Sequence, residues 1–76
     1  MWWYFEKIAE TENEILYIYG YESREMTGEF TYDKKNLKAN IIKFADNHSN
    51  EESIQYPAYQ LVTDYSHLDR KMIAYG

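Results

Sequence analysis

Cysteine is absent from the 76 residues, which excludes disulfide staples, thiolate metal ligands and cysteine nucleophiles together. A reducing compartment suits such a chain. Histidine occurs only at His48 and His67, so a metal site would need carboxylates to complete it, and no zinc-type ligand spacing is present. The three glycines, Gly20, Gly28 and Gly76, form no phosphate-cradling loop. No uncharged stretch approaches the roughly 18 apolar residues that span a bilayer. The opening Met1-Trp2-Trp3-Tyr4-Phe5-Glu6-Lys7 has neither the basic leader nor the apolar run of an export signal. A cytoplasmic, non-membrane protein is the expectation.

Thirteen acidic against eight basic residues give a net charge of −5, which disfavours nucleic-acid binding through phosphates. The charge is uneven. Seven glutamates accompany only Lys7 and Arg24 up to residue 29, whereas Lys34, Lys35, Lys38 and Lys43 follow closely on one another. That modestly basic segment reads as a strand edge protected by lysines. Aromatic residues are abundant at 18%, nine of them tyrosine. A chain this short buries only about 60% of its unfolded surface, so a single domain over residues 1–76 with a dense aromatic core is expected.

Residues 2–9 and 14–21 are rich in aromatic and β-branched side chains and read as two strands joined through Glu10-Thr11-Glu12-Asn13. Symmetrical pairing sets Ala9 opposite Leu16 and Phe5 opposite Gly20. One face then carries Trp3, Phe5, Ala9, Leu16 and Ile18, and the other carries Trp2, Tyr4, Ile8, Tyr17, Tyr19 and Tyr21. Gly28 suits a positive φ before a third strand, 29–34, whose Phe30 and Tyr32 alternate with Glu29, Thr31 and Asp33. Residues 37–45 read as a fourth strand, with Leu37, Ile41 and Phe44 also fitting helical spacing. Ile54, Ala58, Leu61, Val62 and Tyr65 recur at helical offsets. The Ser49/Glu52 capping spacing would leave Pro57 inside the helix at a cost of roughly 3 kcal/mol, so a start between Ser53 and Tyr56 is expected. There the missing N–H falls in the first turn. The helix ends near Ser66, and residues 71–75 form a last strand.

The fold expected is therefore α+β: a small antiparallel sheet in the order ββββαβ with one helix packed on one face, its apolar side chains meeting Trp3, Phe5, Leu16 and Ile18. Trp3-Tyr4, Ser23-Arg24, Gly28 through Tyr32-Asp33-Lys34 and the ending Arg70-Lys71-Met72-Ile73-Ala74-Tyr75-Gly76, in a composition rich in Lys, Asn, Ile and Tyr, resemble small proteins of clostridial-type, low-GC Gram-positive genomes. The resemblance implies a small α+β fold and no particular activity.

Reactive groupings are sparse. Ser66, His67 and Asp69 have the residue types of a nucleophilic triad, but near-adjacent positions cannot converge as nucleophile, base and orienting acid must. Glu10, Glu12 and Glu14 crowd one turn without the glycine and distal carboxylate of a calcium loop. Both histidines read as solvated loop residues. No catalytic, cofactor-binding, metal-binding or small-molecule role is expected. What is unusual is the tyrosine-rich face: one helix covers one side of a sheet, which would leave Trp2, Tyr4, Tyr17, Tyr19 and Tyr21 as a partner-binding surface of the kind that centres many interfaces. Cross-strand packing under loop 22–27 is the competing reading. The functional expectation is a non-catalytic module that binds a protein partner or forms a homodimer; an acidic inhibitor mimicking nucleic acid is the alternative.

Overall fold

The first two apolar stretches pair as an antiparallel hairpin, β1 (Trp2–Glu10) and β2 (Glu14–Tyr21), in a computed structural model that describes residues 1–75. Thr11 builds the turn, accepting from the Glu14 N–H at 3.2 Å while its own N–H donates to the Glu14 carbonyl at 2.8 Å. β3 (Gly28–Asp33) and β4 (Lys38–Lys43) form a second hairpin. Its turn is organised by the Asp33 carboxylate, which accepts from the backbone N–H groups of Lys35 and Asn36. These bonds, with the Asn36 side chain foremost, hold Asp33 below the ordinary carboxylate range. Within the stretch at 37–45, Lys38–Lys43 is thus a strand, as its hairpin-length turn implies, while Leu37 belongs to the turn with φ 55° and Phe44 and Ala45 lie beyond the strand's end.

A single 3₁₀ turn, Glu51–Ile54, leads into α1 (Gln55–Tyr65), with Asn50 accepting the Glu52 N–H at 3.0 Å. Pro57 sits in the first turn of α1, where its missing N–H orphans nothing. β5 (Arg70–Ala74) returns to pair with β1, giving a five-stranded antiparallel sheet in the order β4-β3-β2-β1-β5. The helix covers one face. Ile54, Ala58 and Leu61 bury against Trp3, Phe5, Tyr17, Tyr19, Phe30, Tyr32 and Ile73.

The expected pairing holds at one end of the first hairpin and fails at the other. Ala9 does face Leu16, but Phe5 faces Tyr19, because a β-bulge between Lys7 and Ala9 leaves Ile8 as an extra residue. Side chains alternate with period two, so one inserted residue exchanges the faces of everything beyond it. Trp3 and Phe5 therefore share the helix-covered face with Tyr17, Tyr19 and Tyr21, whereas Leu16 and Ile18 join Trp2 and Tyr4 on the other. Both halves of the expected sorting are corrected by that single residue, and the helix packs on tyrosines rather than on Leu16 and Ile18.

Two glycines are fixed by close approach. Gly28 has no positive φ; a Cβ there would fall 2.5 Å from the Ala45 nitrogen and strike the Tyr19 ring. A Cβ on Gly20 would stand 2.7 Å from the Glu25 carbonyl oxygen, because loop 22–27 folds back over that end of the uncovered face.

Candidate functional site

Of the five residues expected to form a binding surface, the fold brings Trp2 and Tyr4 together and separates them from the rest. Tyr17 is 1% exposed and Tyr19 fully buried, while Tyr21 is half-buried against the same core. These tyrosines are internal. Tyr17 lies over Phe30 with ring centroids 5.3 Å apart, and Tyr19 meets Phe30 edge-on at 5.5 Å, geometries in which aromatic pairs attract beyond their area. Burial pushes the Tyr17 hydroxyl up to about 12, with the nearby Glu10 charge adding to it.

His48 also departs from expectation, since it is only 7% exposed rather than solvated. Its ring stands among four aromatic neighbours, Trp3 at 5.0 Å, Tyr21 at 5.2 Å, Phe44 at 5.3 Å and Tyr19 at 5.5 Å between centroids. The polar contacts assign its tautomer. The Ala45 N–H donates to the Tyr19 hydroxyl oxygen at 3.1 Å, leaving the hydroxyl proton for Nδ1 of His48 at 2.6 Å. Nε2 then carries the proton and reaches the Asn50 carbonyl, also at 2.8 Å from Ser53 Oγ. Burial holds the imidazole below its ordinary value, which keeps it neutral as this network requires. The arrangement is a strut tying loop 44–50 to β2, and His48→Gln is accordingly no neutral change. His67 is exposed after α1, as expected of a loop histidine.

The surface left for recognition is the sheet face away from α1. Trp2, Tyr4, Leu16 and Ile18 are half-buried there, and Met72, Ile42 and Ile8 are largely exposed. A second irregularity, between Glu29 and Phe30 in their pairing with β4, leaves Ile42 unpaired just as the first leaves Ile8. Beside the first hairpin this face hollows into a trough of about 310 Å³. Ala9, Leu16, Thr31 and Ile42 floor it, and Glu10, Glu14 and Glu29 rim it. Glu10 is already engaged by Lys34 at 2.5 Å and Lys7 at 3.0 Å, and these partners, Lys34 first, hold its carboxyl below the usual range. Glu14 and Glu29 form no salt bridge among the described residues. The sequence signal for this face was present in Leu16, Ile18 and Ile42, but it could be read only with the bulges in place.

The described residues contain no group of three His, Asp or Glu side chains positioned to hold a metal ion, and no helix among them is long and apolar enough to cross a membrane. In comparisons with protein families, curated proteins and solved structures, the chain matches none. The fold defines the class: a small α+β protein with one helix on an antiparallel five-stranded sheet among the described residues.

Proposed function

We propose that this chain is a non-catalytic association module that recognises protein through the sheet face opposite α1. The observation that carries the reading is the trough beside the first hairpin, whose floor is mostly apolar and whose rim holds Glu14 and Glu29 without a salt bridge among the described residues. Apolar side chains with aromatic neighbours supply contact area, and unpaired carboxylates select a partner bearing Lys or Arg beside its own apolar groups. The net charge of −5 steers such partners in the same direction. Nucleic-acid mimicry would need the glutamates in one array. Glu10, Glu12 and Glu14 instead lie at one end of β2 and Glu22 and Glu25 at the other, so mimicry gains no support from their arrangement.

The test uses a short peptide of alternating Lys and Val, with its Glu–Val counterpart as control, titrated into isotopically labelled protein. The Lys–Val peptide should shift the amide resonances of Ala9, Leu16, Thr31 and Ile42, and the control should not. Leu16→Lys, which places a cation on the trough floor, should abolish those shifts while leaving the circular dichroism unchanged. Shifts confined to the helix side, or equal responses to both peptides, would overturn the reading.

A further inference from the structure

The two edges of the sheet are finished differently. At the β4 edge three outward main-chain groups are taken. The Gln55 side chain accepts the Ala39 N–H and donates to the Ala39 carbonyl, both at 2.9 Å, as a neighbouring strand would, and Glu51 accepts the Ile41 N–H at 3.0 Å. That edge is sealed by the start of the helical segment.

At the β5 edge nothing equivalent occurs among the described residues. Met1 and Tyr75 exchange hydrogen bonds in both directions, at 2.8 and 2.9 Å, and the Lys7 N–H donates to the Asp69 carbonyl at 2.8 Å. Antiparallel ladders alternate bonded and non-bonded pairs. The inward-bonded residues of β5 are therefore Lys71 and Ile73, opposite Phe5 and Trp3, and the main-chain groups of Arg70, Met72 and Ala74 point away from the sheet. A hollow of about 320 Å³, bounded by Gln60, Tyr65 and Tyr75, runs along β5 beside the helix. The strand itself is firmly seated: the Tyr75 hydroxyl donates to Gln60 Oε1 at 2.6 Å, and Ile73 is buried in the core.

We infer that β5 is a docking edge for a second copy of this chain, paired antiparallel about a two-fold axis through Met72. The inference goes beyond the reading of the chain as an association module: it concerns the sheet edge rather than the open-face trough, and a second copy rather than the Lys- or Arg-bearing partner of that trough. The outward groups fall at Arg70, Met72 and Ala74, symmetric about the middle residue, so a two-fold sets Met72 against Met72 of the second copy and Arg70 against its Ala74. Each of these pairs can exchange two main-chain hydrogen bonds. The side chains agree with the register. Lys71 falls opposite Ile73, and the two Arg70 residues lie four positions apart along the strand, roughly 14 Å, so no like charges oppose. On the open face a row of Tyr4, Met72, Met72 and Tyr4 closes over the axis, burying a methionine that is 50% exposed in the monomer. A strand pair this short falls below the standard interface of about 1,600 Å², so the dimer is reversible and concentration-dependent.

The experiment is sedimentation equilibrium with hydrogen exchange on the intact chain, Met72→Pro and Met72→Lys. Proline is tolerated where the N–H faces outward on an edge strand, and the lysine variant sets two cations against each other. The wild type should show a monomer–dimer equilibrium, with the Arg70, Met72 and Ala74 amides slowed as concentration rises. Either variant should weaken the dimer roughly 10- to 100-fold, from loss of the central pair, and keep binding the Lys–Val peptide. A wild type that stays monomeric at NMR concentrations overturns the inference. So does a dimer that survives both variants with those amides unprotected; if Leu16→Lys dissolves that dimer, the open face is the contact and the association reading stands without the edge.

Discussion

Tyr19→Phe removes one oxygen from a buried position and tests whether the loop above the sheet is held by the network assigned to it. The hydroxyl accepts the Ala45 N–H at 3.1 Å and donates to His48 Nδ1 at 2.6 Å, so its loss leaves a buried donor and a buried acceptor without partners. Each orphaned group costs about 1–3 kcal/mol, and because the two share one hydroxyl and the loop can relax, a total of about 2–4 kcal/mol is expected. That is a large share of the roughly 5–15 kcal/mol that holds a domain together. Tyr17→Phe is the internal control. Its hydroxyl is equally buried but bonds no protein group among the described residues, so the same substitution orphans nothing and should be neutral or stabilising. Urea denaturation at neutral pH, followed by tryptophan fluorescence because Trp3 lies 5.0 Å from His48, measures both. If Tyr19→Phe costs less than about 0.5 kcal/mol, or no more than Tyr17→Phe, the hydroxyl is not bridging Ala45 and His48 and the strut does not exist.

The remaining predictions concern protons. Because burial holds folded His48 below the ordinary 6.5, the unfolded chain takes up a proton first on acidification. Its stabilisation is complete above that value and declines as pH falls through it; an NMR midpoint for the His48 ring at or above 6.5 would contradict this. Folded Tyr17 is raised from 10.0 to about 12, so the opposite sign applies: its contribution is whole below 10 and is lost as pH rises towards 12, by up to about 2.7 kcal/mol. Alkaline denaturation of Tyr17→Phe should be shallower than wild type over that interval, and identical slopes would refute the assignment.

Much of the fold was legible because local chemistry and global architecture agree. Aromatic and β-branched runs marked β1 and β2, clean alternation marked β3, and Pro57 fixed where α1 could begin, since a proline further inside would cost the helix more than its capping could return. The candidate site was less legible for a particular reason. Tyrosine has an apolar body and a polar tip, so it sits as readily under a helix as on an open face, and the two sides of β1 and β2 carry nearly the same apolar content. Nothing in composition therefore opposed the wrong face for Tyr17, Tyr19 and Tyr21.

The sequence by itself determined β1, β2, β3, the helix at α1 and the pairing of Ala9 with Leu16, because these follow from periodicity and turn chemistry within a few residues of one another, whereas residues 37–45 fit strand and helix spacing alike until the fold placed β4. Only the tertiary structure decided that Ile8 bulges out, that His48 is enclosed by aromatic rings, and that Gln55 bonds the edge of β4 while no side chain among the described residues does the same at β5. Each of those depends on groups distant in the chain competing for one place. A bulge forms when packing across the whole sheet outweighs one lost ladder bond, and an edge is sealed or open according to which helix side chain happens to reach it.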